Sequence, residues 1–218
     1  MGIVTPQQNI TELAAQIARR QQEGERAVFT NGVFDLLHLG HIQYLQRAYT
    51  LGDLLIVGVN SDASTRALKG PRRPLVPEME RAETLAALAM IDYVTIFDEP
   101  TAGPLIEMLR PAVYVKGADY APGALNQPDA GAHEYLITPA RLRRLLGLEP
   151  ADADDSAGSE DAALADLAAR LPEAPVVASY GGSLALLAYL PGHSTSALIA
   201  RIVERYGTMP NDQTHQAF

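Results

Sequence analysis

A chain of 218 residues, 47% of them hydrophobic, can bury a sizeable core, which excludes a fibre and a wholly disordered protein. The absence of cysteine removes disulfides, thiolate metal ligands and thiol nucleophiles, and no apolar run approaches the roughly 20 residues of a membrane span, nor does a basic-then-apolar leader open the chain, so a soluble, cytoplasmic protein with no membrane partner is expected. The formal net charge of −9 argues against a nucleic-acid partner, and most of it is local: between Glu149 and Glu173 eight acids face the single base Arg170, a balance of −7.

In chain order, Ile10, Leu13, Ala14 and Ile17 predict an amphipathic helix that ends at Gly24. Ala27 to Thr30 predicts a first strand. The stretch Thr30 to His41 follows and leads into a helix on which Ile42, Leu45, Ala48 and Tyr49 recur at spacings of three and four. Leu51-Gly52-Asp53 reads as the helix stop, with Gly52 left-handed. The continuous apolar run Leu54 to Val59 suits a parallel strand covered on both faces. Asn60-Ser61-Asp62 then caps a short helix through Leu68, and Lys69 to Pro74 is a loop carrying three positive charges. A helix from Glu78 to Met90, a strand from Tyr93 to Phe97, a helix from Pro104 to Leu109 and a fourth strand, Val113 to Val115, ending at Lys116-Gly117, complete the regular part.

Between Tyr120 and Pro175 the regularity fails. Thr138-Pro139 caps one short helix, the acidic stretch Glu149 to Ser159 is of low complexity, and Leu164, Leu167 and Leu171 suggest a second helix. Beyond Pro175, Gly181-Gly182 reads as a turn between two short strands, Leu184 to Leu190 is strongly apolar, and Ser194 caps a helix from Ala197 to Tyr206. Strands alternating with helices at this spacing predict an α/β fold: a doubly wound, Rossmann-like, five-stranded parallel sheet with helices on both faces and a partly helical insertion after strand four. The expected organisation is one domain over residues 1–207, with 121–175 as an insertion or lid and 208–218 as a flexible tail.

His38 and His41 lie one turn apart at a helix start, where backbone N–H groups and the helix dipole favour an anion. Spacing alone leaves the pair open between structure and chemistry. Three features favour chemistry. The pair follows the first strand, where doubly wound folds bind ligands; Gly32 and Gly40 permit close backbone approach; and later strand ends carry Lys69, Arg81, Lys116 and Ser194-Thr195-Ser196. Two imidazoles, several cations and hydroxyl-capped helix starts suit a polyphosphate. His133 falls in the insertion and His215 in the tail, whereas His193 neighbours Ser194.

Thr30 to His41 resembles the signature of the cytidylyltransferase-like nucleotidyltransferases. Gly58 to Thr65, Leu68-Lys69-Gly70, Arg73-Pro74, Arg81-Ala82-Glu83, Phe97-Asp98-Glu99 and Val115 to Tyr120 resemble its heptose 1-phosphate adenylyltransferase branch. The resemblance implies transfer of AMP from ATP to a sugar 1-phosphate with release of pyrophosphate. It makes His38, His41 and Lys69 the catalytic residues. Asn31, Gly32, Val33, Phe34, Gly40, Arg81, Lys116, Gly192, Ser194, Thr195 and Ser196 become nucleotide-binding, and Asp35 and Asp119 substrate-binding. Mg²⁺ is expected to be held mainly by the triphosphate, with no protein metal ligand, and a homodimer is expected. Tyr189 stands where relatives that use CTP carry an arginine, which weakens a CTP assignment and is compatible with ATP. A CTP-dependent cytidylyltransferase, an FMN adenylyltransferase and a non-catalytic nucleotide-binding module are the alternatives. The heptose branch is often fused to a sugar kinase, which is expected here on a separate chain.

Overall fold

Leu54–Asn60 is buried at every position, as a strand covered on both faces must be. The computed structural model describes residues 3–5, 9–117, 134–149, 164–166, 170–188, 190 and 192–207. Its strands are β1 (Ile3–Thr5), β2 (Ala27–Gly32), β3 (Leu54–Asn60), β4 (Tyr93–Phe97), β5 (Val113–Gly117), β6 (Glu134–Ile137) and β7 (Ser183–Leu187). They form one sheet in the order β1-β4-β3-β2-β5-β7-β6. Every neighbouring pair is parallel except β6 with β7.

The pleat sorts side chains between two cores. Phe29, Leu54, Ile56, Tyr114, Leu184 and Leu186 face one side, while Val28, Leu55, Val57, Val113, Val115 and Ala185 face the other. Helices α1 (Ile10–Gln22) and α5 (Gly103–Leu109) cover the first core through Leu13, Ile17, Ile106 and Leu109; α2 (Leu39–Tyr49) and α4 (Glu78–Ala86) cover the second through Leu45, Ala48, Ala82 and Leu85. Helices on both faces of a largely parallel sheet are what the alternating pattern predicts. Further helices among the described residues are α3 (Asp62–Lys69), α6 (Pro139–Leu145), α7 (Ala174–Ser179) and α8 (Thr195–Tyr206), and residues 164–166 are also helical.

Among the described residues the sheet has seven strands, where five were expected. β1 has three residues and β6 four, too few for an alternating pattern to stand out. The segment before Gly181-Gly182 is helix α7, not a strand. Val176 and Val177 read as β-formers, but Pro175 sits in the first helical turn and Ala174, Val177 and Ala178 share a buried face. Helix α4 ends at Ala86, and turns bonded from Leu88 N to Leu85 O and from Ile91 N to Leu88 O carry the chain on. Gly52 is not left-handed. Glycine is required there because a Cβ would lie 2.4 Å from the carbonyl oxygen of Arg26.

The insertion is partly integral to the sheet. Its strand β6 extends the sheet beyond β7, and Ile137, Leu142, Leu164 and Leu171 are buried in the first core. Thr138 caps α6 as predicted, its hydroxyl accepting from the backbone N–H of Arg141. Leu167, Tyr189 and the stretch Glu149 to Ser159 beyond its first residue lie outside the described residues, as do Asp119, His133 and the 208–218 tail. Among the described residues no helix is long and apolar enough to cross a membrane.

Candidate active site at the carboxyl edge of the sheet

The sheet order places β2 between β3 and β5, so the chain moves to one side after β2 and later crosses to the other. At such a switch point the connections at the carboxyl ends diverge and leave a crevice. A cleft of about 430 Å³ opens there.

Its floor is the turn after β2. Asn31, Gly32, Val33, Phe34 and Asp35 all line the cleft. The Asn31 side-chain oxygen accepts from Tyr114 Oη at 2.8 Å and from Lys116 Nζ at 3.0 Å, which turns its amide nitrogen away from β5. The Thr30 and Tyr44 hydroxyls lie 2.7 Å apart, one donating to the other, and the proton that remains goes to the carbonyl of Val115, which is 3.0 Å from Thr30 Oγ1 and 3.1 Å from Tyr44 Oη. These bonds lock strand, helix and β5 together beneath the turn. Phe34 is left-handed at φ 48°, costly for a bulky side chain. Its ring sits 3.1 Å from where a Gly32 Cβ would be, so Gly32 makes room for it.

The imidazoles stand at the start of α2. His38 is the N-cap, its Nδ1 accepting from the backbone N–H of His41 at 3.3 Å. The two rings stack at a centroid distance of 3.9 Å. Burial, then the neighbouring His38 and Lys69, pull the pKa of His41 down to about 4, against an opposing pull from a hydrogen bond to the Leu36 backbone. Burial first, and then His193, also lower that of His38. Among the described residues, His41 Nδ1 is buried without a hydrogen-bond partner. Such an atom in a cleft wall is a place for a ligand to bond. Lys69, the last residue of α3, lines the cleft beside it. A Cβ on Gly40 would lie 3.1 Å from the Cβ and carbonyl of His193, so this glycine lets the segment before α8 close on the histidine turn.

At α8, Gly192 has φ 76°, Ser194 is the N-cap with its Oγ accepting from Ala197 N at 3.1 Å, and Thr195 lines the cleft. Ser196 is exposed. The structure therefore brings together His41, Lys69, Lys116, Thr195 and the turn Asn31 to Asp35 along the cleft, with the less buried ring of His38 stacked on His41.

Two expected site residues have other work. Arg81, expected to contact nucleotide, is 2% exposed. It donates to the carbonyls of Val76 at 2.9 Å, Val33 at 2.5 Å and Asn60 at 2.9 Å, and to Asp62 Oδ1 at 2.7 Å. Four of its five N–H groups are thereby spent on the protein, and it braces the cleft from behind. Asp35 lines the cleft, but its Oδ1 accepts from the backbone N–H groups of Leu75 and Val76 at 2.7 and 2.9 Å. Its Oδ2 meets Arg73 Nε at 2.7 Å, off the axis of a good hydrogen bond. The carboxylate thus ties the basic loop to the histidine turn.

Sequence reasoning missed Thr101 and the segment Leu171-Pro172-Glu173, which also line the cleft. Glu173 closes an acidic run whose composition reads as solvated surface, and nothing local marks its last member as buried.

A family model described as cytidylyltransferase-like matches residues 29–151. The bifunctional protein HldE of Geobacter sulfurreducens is 43% identical over 199 residues, 91% of this chain and 31% of that protein. The protein of the same name from Geotalea uraniireducens is 43% identical over 194 residues, 89% of this chain and 30% of that one. The chain thus spans about a third of the length of these curated relatives. Among solved structures, a lipopolysaccharide core biosynthesis protein from Thermoplasma volcanium is 34% identical, covering 44% of this chain and 77% of that one, with a TM-score of 0.41.

Proposed function

This chain belongs to the cytidylyltransferase-like family, and from that membership we propose that it is a nucleotidyltransferase that moves AMP from ATP to a heptose 1-phosphate-like sugar phosphate and releases pyrophosphate. The observation that carries the reading is the buried, unpartnered Nδ1 of His41 in a cleft wall shared with Lys69 and Thr195. His38, whose Nδ1 accepts from a backbone N–H, keeps its Nε2–H as a donor, and His41 gains a donor at Nδ1 when a bound phosphate favours its protonation; with the ammonium of Lys69 and the amides at the start of α8 they suit a triphosphate.

In this reading an oxygen of the acceptor phosphate attacks the α-phosphorus in line, the bond to the β-phosphate oxygen breaks, and pyrophosphate departs. His38 and His41 stabilise the charge that builds on the α-phosphate, and Lys69 holds the β- and γ-phosphates. Lys116 and Asn31, coupled at 3.0 Å, position nucleotide at the end of β5. No protein nucleophile takes part. Asp35 is closed by Leu75, Val76 and Arg73, so it is unsuited to ligate a metal. Mg²⁺, a hard ion that keeps waters, fits this donor set when carried by the phosphates, where it neutralises their charge. We assign the same domain to residues 1–207, acting as a cytoplasmic homodimer.

The test is pyrophosphate release with ATP and CTP, each against sugar 1-phosphates, glycerol 3-phosphate and FMN. Turnover is expected with ATP and a sugar 1-phosphate. Turnover confined to CTP or to FMN moves the assignment to another branch, and tight nucleotide binding with no turnover makes the chain a binding module. His38→Ala and His41→Ala should each lower kcat by about 100-fold or more, the scale of losing one oxyanion donor, with circular dichroism unchanged. Near-normal kcat in both would remove the histidines from the mechanism.

A further inference from the structure

Glu173 is 3% exposed, yet its carboxylate lines the cleft. It is the N-cap of α7 but makes no side-chain cap to its own helix. Its Oε1 accepts from the backbone N–H of Ala102, the N-cap of α5, at 3.3 Å, which fixes the carboxylate near Thr101 in the connection from β4 to α5. Among the described residues no cation pairs with it. A buried carboxylate is costly unless hydrogen bonds satisfy it; the long backbone bond engages Oε1 alone, and Oε2, which is not sealed off from solvent, is open to the cleft.

The chemistry of the cleft narrows what can meet the need. A ligand bearing phosphates is repelled by this carboxylate, so its phosphates belong with Lys69 and His41. What suits Glu173 and the Thr101 hydroxyl is the part of a ligand that is neutral and rich in O–H donors, because hydroxyl-to-carboxylate bonds are short and strong. The carboxylate also reaches the cleft from the far side of the insertion, outside the turn that carries the histidine pair. Its placement can therefore vary without disturbing the triphosphate residues.

Building on the function proposed above, we infer that Glu173 is a specificity-determining residue for the acceptor: its second carboxylate oxygen accepts hydrogen bonds from hydroxyls of a polyhydroxylated sugar phosphate, and Thr101 assists. Acceptors lacking those hydroxyls leave the carboxylate desolvated and unsatisfied, and are rejected.

The experiment compares wild type with Glu173→Gln, which keeps an oxygen for Ala102 N–H, and with Glu173→Ala. Steady-state kinetics use D-glycero-β-D-manno-heptose 1-phosphate and its monodeoxy analogues, and calorimetry measures ATP binding. Glu173→Gln should lower kcat/KM for the heptose phosphate about 10- to 100-fold, as expected for one charge-assisted hydrogen bond. ATP affinity should stay within about twofold, and discrimination against at least one deoxy analogue should collapse. Unchanged kcat/KM and discrimination in Glu173→Gln overturn the inference, as does a parallel loss of ATP affinity. Failure of the adenylyltransferase reading shows in the wild type alone, as absence of pyrophosphate release. In that case calorimetric titration of the heptose phosphate into the nucleotide-loaded protein decides: weaker binding to Glu173→Gln sustains the assignment, and equal binding or none to wild type overturns it.

Discussion

At His41, burial removes water from the ring and holds it neutral, while leaving Nδ1 without a partner inside the cleft. The same burial has a cost that pH exposes. The unfolded chain binds a proton at this histidine near the ordinary value of 6.5, whereas the folded chain resists until about 4. Between those values the unfolded state holds more protons, so stability is full above 6.5 and falls as pH drops towards 4, by up to ~1.4 kcal/mol per pH unit. Urea unfolding of the ligand-free protein from pH 7 to pH 4.5 should show this loss, and His41→Gln should flatten the profile. A His41→Gln profile as steep as that of the wild type would place the proton uptake elsewhere. A bound triphosphate opposes the effect, because its charge favours the imidazolium.

Arg81 shows how an element is held by what it lacks. The segment before α4 (Val76), the end of β3 (Asn60) and the turn after β2 (Val33) each present a carbonyl, and one guanidinium, itself on α4, reaches all three. Replacing Arg81 by Ala strands those carbonyls and Asp62, so a loss of about 3–5 kcal/mol is expected in denaturant unfolding. Arg81→Lys keeps the charge but not the fork, and should recover only part of that loss. A loss below about 1 kcal/mol in Arg81→Ala would show that water reaches these carbonyls. The role was not legible in the sequence, because the acceptors at Val33 and Asn60 lie 48 and 21 residues away. Strands β2 to β5 were legible for the opposite reason, since each is an apolar or β-branched run closed by its own punctuation. The histidine turn was legible too, since cap, glycine and dipole are local. Helix α7 was not, because its burial face is set by the sheet that it covers and not by the preference of two valines.

At the scale of the molecule, the described part of the insertion is not an appendage. Leu142 is fully buried on α6, in the same core as α1, α5 and α7. Leu142→Ala should therefore cost about 2–5 kcal/mol of global stability, with fluorescence and circular dichroism reporting one coincident transition. An early transition affecting β6 and α6 alone would mean that the insertion unfolds by itself. Its composition concealed this, because acidity and low complexity surround the few residues that enter the core.

The bonds beneath the histidine turn also bear on how the protein comes to be active at all. Thr30 reaches Val115 across 85 residues of chain, and Tyr114 reaches Asn31 across 83. Contacts so distant in sequence are made slowly, after nearer ones have paid the entropy of closing the intervening loops. During synthesis β2, α2 and β3 are available well before β5 exists. The stretch most recognisable in the sequence is thus oriented only when the chain has emerged through Lys116, and a chain stopped earlier would keep the whole signature with nothing to aim it.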